Sequence, residues 1–326
     1  MKPRILVTRA VFPEHLERLA EHFEIDANQG DEPIASADLV LRLADKQAAL
    51  ITGGDRIDAA TLAGAPLLRA VSTISVGTNH IDIAACTARG VRVTNTPDVL
   101  TETTADFGWA LLMATARRVT EAEHWLRAGR WQRWSLSQFL GADLHHTMLA
   151  ILGMGRIGQA MARRAAGFAM PVIYHNRSRL PRDVEEACRA RYVARPALFE
   201  EADHVMLVLP YAPEHHHSIG AAELAMMKPT ATLINIARGG LIDEGALANA
   251  LATGKLAGAG LDVFEGEPQV DARLLALTNV VLTPHIASAS RPTRDAMARL
   301  AIDNLVAALA DRLPPNLVNP VTIGSR

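Results

Sequence analysis

Three ionisable residues follow short apolar runs in the second half of the chain. Arg238 lies in Asn235-Ile236-Ala237-Arg238-Gly239-Gly240, Glu267 in Asp262-Val263-Phe264-Glu265-Gly266-Glu267-Pro268, and His285 in Thr283-Pro284-His285-Ile286-Ala287-Ser288. Together they carry the parts needed to reduce a 2-oxo acid. Arginine presents a planar fork of donors to a carboxylate and a carbonyl oxygen. Histidine titrates near neutrality and can give a proton to that oxygen as hydride reaches the carbon. A carboxylate hydrogen-bonded to the imidazole orients the ring and favours its protonated form. Taken singly, each residue has a plainer explanation. Arg238 before two glycines could cap a turn, Glu267 before proline could be a loop carboxylate, and His285 is one of twelve histidines.

A hydride donor would need a seat, and the chain offers one. The apolar run Met148–Leu152 leads into Gly153-Met154-Gly155-Arg156-Ile157-Gly158 and then into a helical pattern with Gly158, Met161, Ala162 and Ala165 on one face. In a dinucleotide site Gly153 would permit the tight turn, Gly155 the approach of a pyrophosphate, and Gly158 the close packing of helix on strand. The helix start at Arg156 and Ile157 would add free N–H groups and a partial positive charge. An NAD site usually carries an acidic residue about 20 residues further on, for the ribose hydroxyls. Here the sequence reads Asn176-Arg177-Ser178. Arg177 and Ser178 could hold a 2′-phosphate through charge-assisted hydrogen bonds, which favours NADPH and leaves NAD possible. The plainer alternative for Arg177 is an exposed loop arginine.

These residues need elements to hold them, and the pattern supplies a series of βα units. Strands are expected at Arg4–Thr8, Ala49–Thr52, Arg69–Thr73, Val91–Thr94, Met148–Leu152, Pro171–His175, His204–Leu209, Thr232–Ala237, Gly260–Val263 and Val280–Thr283. Helical patterns fall between them, notably at Pro13–His22, Thr101–Ala128, Arg156–Phe168, Asp243–Thr253 and Thr293–Ala310. Unbroken Val/Ile/Leu runs signal strands buried on both faces, and alternating βα units signal parallel sheets. In such sheets ligands gather at the carboxyl ends of the strands, where Arg238, Glu267 and His285 all fall.

With 326 residues the chain can form two domains of about 150 residues each. The long helices at 101–128 and 293–310 suggest a chain that leaves a first domain and later returns to it. A formal charge of −2 with scattered Lys and Arg argues against nucleic-acid and membrane-surface binding. No apolar stretch approaches a membrane span, and the opening MKPRILVTRA lacks the apolar run of a signal peptide, so a cytoplasmic setting is expected. The two cysteines, Cys86 and Cys188, have no metal or redox spacing and are expected to be ordinary thiols. Glu214-His215-His216-His217 invites a metal assignment, but adjacent histidines rarely converge on one ion and no carboxylate or cysteine cluster accompanies them in sequence, so no metal is expected. Trp125, Trp131 and Trp134 are expected to serve packing or an interface.

At this point the chain resembles the D-isomer-specific 2-hydroxyacid dehydrogenases, and within them the glyoxylate/hydroxypyruvate reductases and 2-ketogluconate reductases of bacteria. The resemblance rests on Ser72–Gly77, Val99–Asp106, Asp143–His146 leading into Gly153–Gly158, Asn235–Gly239, Ala259–Phe264 and Pro284-His285-Ile286. It implies two Rossmann-like, doubly wound parallel-sheet α/β domains, one flavodoxin-like and one dinucleotide-binding, with an interdomain cleft. The substrate domain would be residues 1–100 plus 291–326 and the dinucleotide domain residues 101–290. It further implies His285 as acid/base, Glu267 as its partner and Arg238 as substrate anchor. Backbone N–H groups around Val76 and Gly77 would bind the substrate carboxylate. Thr104, Ala237, Asp262 and the region of Pro210 would flank the nicotinamide. A homodimer is implied as well. The expected reaction is NAD(P)H-dependent reduction of glyoxylate, hydroxypyruvate or a related acid to a D-2-hydroxy acid. The alternatives are a 2-ketoaldonate reductase or a dinucleotide-sensing co-repressor.

Overall fold

The computed structural model describes residues 1–320, which fall into two compact units: Met1–Leu100 with the segment from Ser290 onward, and Thr101–Ala289. The first unit carries β1 (Arg4–Val7), α1 (Pro13–His22), β2 (Glu24–Ala27), α2 (Ser36–Leu43), β3 (Ala48–Ile51), α3 (Ala59–Ala63), β4 (Ala70–Thr73), α4 (Ile83–Ala88) and β5 (Arg92–Thr94). Its five strands are parallel in the order β2-β1-β3-β4-β5, the flavodoxin-like arrangement.

The second unit begins with α5 (Thr101–Ala116) and α6 (Val119–Arg127). It then alternates β6 (Leu149–Leu152), α7 (Arg156–Ala165), β7 (Val172–His175), α8 (Arg182–Cys188), β8 (Ala190–Tyr192), α9 (Arg195–Glu201) and β9 (His204–Leu207). It closes with α10 (Ala221–Met226), β10 (Thr232–Asn235), α11 (Glu244–Ala252), β11 (Gly258–Leu261), α12 (Ala272–Leu275) and β12 (Val280–Leu282). The seven-stranded parallel order is β12-β11-β10-β9-β6-β7-β8. Strand order reverses between β6 and β9, which is where doubly wound sheets bind dinucleotides. The chain then rejoins the first unit as α13 (Arg291–Leu309).

Each sheet is buried on both faces because its strands alternate their apolar side chains between two cores. In the second unit Ala150, Leu152, Val205, Leu207, Leu233 and Leu261 pack with Leu198, Phe199, Leu224 and Leu247 from α9, α10 and α11. The intervening residues Leu149, Ile151, Met206 and Ile234 pack on the opposite face with Leu111, Leu112, Met161 and Ala165 from α5 and α7. The first unit repeats the scheme. Leu6, Ala49, Ile51 and Val71 face α2 and α3, while Ile5, Val7, Leu50 and Ala70 face α13 through Ala301, Ile302 and Leu305. The returning helix therefore completes a core that residues 1–100 leave open on one side. It is started by Ser290, whose hydroxyl accepts from the Thr293 N–H at 3.3 Å, and is tied to β4 by the Ser72 hydroxyl donating to the Ala301 carbonyl at 3.0 Å.

The doubly wound α/β fold expected from the sequence is observed, with three local differences. Strands β2 and β8 were not anticipated. Both lie at sheet edges and read Glu-Ile-Asp-Ala and Ala-Arg-Tyr, without the apolar run that a doubly covered strand requires. The single helix expected over Thr101–Ala128 is broken at Arg117 and Arg118. The Ala142 N–H occupies the Ala116 carbonyl at 2.9 Å and Arg118 takes φ 53°, so the helical ladder ends there. Trp125 packs edge-on against Phe139, whereas Trp131 and Trp134 are exposed. Among the described residues no helix is long and apolar enough to cross a membrane.

Helix α5 lies close to the sheet because β11 presents no side chain to it at one point. A Cβ on Gly260 would stand 2.6 Å from the Thr115 hydroxyl and 2.8 Å from Leu111 Cγ. Gly260→Val is therefore expected to destabilise the chain by roughly 1–3 kcal/mol through overpacking. A calorimetric melting temperature equal to that of the unaltered protein would refute this close approach.

Candidate functional site

The segment carrying His285 is organised by one buried carboxylate. Asp262, just past the end of β11, has no solvent exposure. It accepts from the Thr283 hydroxyl at 2.7 Å, the Ile286 N–H at 2.8 Å and the Ala287 N–H at 2.9 Å, and its own carbonyl accepts from the His285 N–H at 2.9 Å. Burial pushes the Asp262 carboxyl up in pKa, against these donors, which favour the ionised form. His285 is thereby held with φ 53°, a left-handed conformation that histidine adopts uncommonly and that four surrounding hydrogen bonds stabilise here.

From that position His285 Nδ1 meets Glu267 Oε2 at 2.8 Å. The other oxygen, Oε1, accepts from the Phe264 N–H at 2.9 Å, which fixes the carboxylate in its loop. The Glu267–Pro268 bond is cis. Burial alone would raise the Glu267 pKa. The hydrogen bond and charge of His285, the Phe264 N–H and the Arg238 charge together hold it below its ordinary value.

Arg238 follows β10 in a turn shaped by Asn235, which is fully buried. The Asn235 side chain accepts from the Ala237 N–H at 3.0 Å and donates to the Arg238 carbonyl at 2.9 Å, closing both ends of the turn. Arg238 donates to the Ala237 carbonyl at 2.6 Å. Burial lowers the pKa of its guanidinium, and the charge of Glu267 opposes that shift. Next in sequence, Gly239 packs directly against the Phe264–Glu265 peptide, so any Cβ there would overlap backbone. The Arg238 turn and the Glu267 loop thus touch main chain to main chain.

The glycine turn stands at the reversal of strand order, immediately after β6. Gly153 has φ +103° and lies against the backbone of Val208 and Leu209, where a side chain has no room. A Cβ on Gly158 would run into the Gly153 carbonyl, whereas one on Gly155 would meet nothing within 4 Å. Helix α7 begins at Arg156 with no side-chain cap and no acidic residue in its first turn. An open surface in front of Gly155 and uncapped helix amides fit a pyrophosphate. Asn176 Oδ1 accepts from the Met154 N–H at 2.7 Å, coupling the glycine turn to the segment after β7. Arg177 and Ser178 are exposed.

That segment is secured from behind by a group the sequence did not single out. Buried Tyr174 donates to Glu185 Oε1 at 2.6 Å and accepts from the Leu180 N–H at 2.9 Å, while Arg179 binds the same carboxylate at 2.9 and 2.7 Å. The Arg179 and Tyr174 hydrogen bonds pull the Glu185 carboxyl down to about 2, and burial and Glu185 push the Tyr174 hydroxyl up to about 12. Asn235 and this clamp escaped sequence reading because their partners are set by the folded backbone.

The structure brings Arg238, Asp262, Glu267 and His285 into one region of the second unit and joins the glycine turn to Asn176. Thr104 is buried in α5, Ala237 is buried beside Arg238, and Pro210 is exposed after β9. Val76 and Gly77 belong to the first unit, in the loop after β4. There the Asn95 side chain donates to the Val76 carbonyl at 2.8 Å and the Ser75 hydroxyl to the Gly77 carbonyl at 2.7 Å. The sequence places Glu214 beside His215–His217 without a carboxylate or cysteine cluster, and the fold brings Glu265, 48 residues further along from His217, to His216 and His217.

A seven-stranded order with a glycine turn at its reversal point defines a dinucleotide-binding α/β protein. The family described as "D-isomer specific 2-hydroxyacid dehydrogenase, NAD binding domain" matches residues 109–287. Glyoxylate reductase from Thermococcus gammatolerans is 45% identical, over 98% of this chain and 96% of that protein. Its namesake from Korarchaeum cryptofilum is 46% identical, over 100% of this chain and 98% of that protein. The crystal structure of an NADPH-dependent glyoxylate/hydroxypyruvate reductase from Sinorhizobium meliloti, in complex with NADP and malonate, superposes with a TM-score of 0.88 at 36% identity, covering 100% of this chain and 99% of that one. The chain belongs to the D-isomer specific 2-hydroxyacid dehydrogenase family.

The Glu185 clamp makes stability pH-dependent in a defined direction. A carboxyl with its folded pKa depressed stabilises fully above its ordinary value of 4.5 and loses that contribution as pH falls toward about 2. The melting-temperature gap between the unaltered protein and Glu185→Gln should be constant from pH 6 to 8 and narrow below about 4.5. A gap unchanged at pH 3 would show that Glu185 is not clamped as an anion.

Proposed function

We propose that this chain reduces small 2-oxo acids such as glyoxylate and hydroxypyruvate to the corresponding 2-hydroxy acids, D-configured where chiral, with NADPH preferred over NADH. The observation that carries the reading is the His285–Glu267 pair at 2.8 Å, beside Arg238 and on the carboxyl side of a dinucleotide-binding sheet. The named activities of the relatives support it.

The reduced nicotinamide supplies the hydride that C2 of the acid receives. The protein's own groups handle the rest. With Nδ1 engaged by Glu267, His285 presents Nε2 to the carbonyl oxygen and delivers the proton there. Glu267 keeps the ring oriented and stabilises the imidazolium before transfer. Arg238, kept cationic, binds the carboxylate and polarises the carbonyl. The Val76 and Gly77 amides are assigned to the substrate carboxylate. Gly153, Gly155, Gly158, Arg156 and Ile157 would hold the pyrophosphate, while Thr104, Pro210, Ala237 and Asp262 would flank the nicotinamide.

The cofactor preference rests on the segment after β7. It carries no acid for a free ribose 2′-hydroxyl, and its exposed Arg177 and Ser178 match a 2′-phosphate in charge and hydrogen bonding.

Two experiments test these assignments. His285→Gln should lower kcat with glyoxylate by at least about 100-fold while NADPH affinity stays nearly constant. An unchanged kcat would overturn the acid/base role. Arg177→Ala should raise KM for NADPH far more than for NADH. Equal losses, or a substrate series in which 2-ketogluconate outruns both small acids, would redirect the specificity assignment.

A further inference from the structure

His216, His217 and Glu265 form a cluster that the proposed reaction does not use. The two imidazoles stack with centroids 3.9 Å apart and planes 20° apart. His217 Nε2 lies 2.8 Å from Glu265 Oε2 and His216 Nε2 lies 3.6 Å from Oε1. One ligand atom from each residue falls within 4.8 Å of the other two. Adjacent histidines seldom converge, yet here both direct Nε2 at one carboxylate brought in from a different loop.

The donors are also held in place. The His217 N–H donates to the Gly240 carbonyl at 2.9 Å, and the Glu265 N–H donates to Glu244 Oε1 at 2.8 Å. The Tyr211 hydroxyl lies 3.3 Å from His216 Nδ1, an outer contact of the kind that fixes ring orientation in metal-binding histidines and leaves Nε2 for the ion. Glu244 and Glu267 beside Glu265 concentrate negative charge that a cation would offset. All three donors are exposed, so an ion can enter from solvent and complete its shell with water.

We propose that His216, His217 and Glu265 form a binding site for a divalent transition-metal ion of the zinc class. Two imidazole nitrogens and one carboxylate oxygen, with a remaining position for water, make a donor set suited to Zn2+, Ni2+ or Cu2+ rather than Mg2+ or Ca2+. A bound ion bridges the segment after β9 to the Phe264–Glu267 loop, stapling two loops that otherwise meet there through the His217–Glu265 hydrogen bond.

The test is isothermal titration of chelator-treated full-length protein with Zn2+ alone, paired with melting curves with and without the ion. One equivalent should bind, raise the melting temperature, and be displaced by chelator, while Mg2+ has no such effect. His217→Gln and Glu265→Gln should each weaken Zn2+ binding at least about 10-fold and abolish the thermal shift. Their melting curves without metal report whether they fold, and His216→Gln provides a third independent variant. Absence of saturable binding in the unaltered protein would overturn the proposal. So would Zn2+ binding that folded variants retain undiminished, because the ion would then sit on others of the twelve histidines.

Discussion

The candidate site depends on a single buried charge at Asp262. A carboxylate without solvent exposure is costly unless its oxygens are filled, and the donors available to fill them are the Thr283 hydroxyl and the amides of Ile286 and Ala287. Meeting that demand folds the segment after β12 back over the end of β11 and forces His285 into a left-handed conformation. From that backbone position the imidazole meets Glu267 through Nδ1. Asp262 is thus a positioning residue for His285 whatever further contact it makes, and removal of its charge would release the segment as a whole.

A second constraint is topological. Reversal of strand order between β6 and β9 leaves a gap at the carboxyl edge of the sheet that no crossover helix covers. The glycine turn occupies that gap because Gly153 can lie against the Val208–Leu209 backbone, and Asn176 binds the turn to the neighbouring strand end. Behind Asn176, Tyr174 and Arg179 converge on Glu185, so the segment carrying Arg177 and Ser178 projects from a fixed base. The glycine-turn backbone and the segment carrying Arg177 and Ser178 are therefore parts of one hydrogen-bonded assembly.

Much of this was legible in the residues themselves. Strands covered on both faces are mostly apolar, so Leu149–Leu152 or Ala48–Ile51 announced themselves, while the edge strands Glu24–Ala27 and Ala190–Tyr192, relieved of that demand, did not. The glycine turn was readable because its chemistry is local. His285, Glu267 and Arg238 could be named from residue type and position at strand ends, but their convergence depends on strand order. Asn235 was visible only as a residue before a turn, and its two hydrogen bonds exist only once the chain has bent. The break at Arg118 and the meeting of Glu265 with His216 and His217 arise from long-range contacts that no local pattern encodes.

The main-chain contact between Gly239 and the Phe264–Glu265 peptide has a consequence for how such a protein can diversify. Two loops that touch through backbone atoms share no adjustable surface. A replacement in one cannot be absorbed by a rotamer change in the other, and compensation would require shifting a strand. Arg238 and Glu267 are therefore carried by one block whose geometry resists piecemeal change. Change is then left to the surrounding segments, with Arg238 and Glu267 kept in the same arrangement.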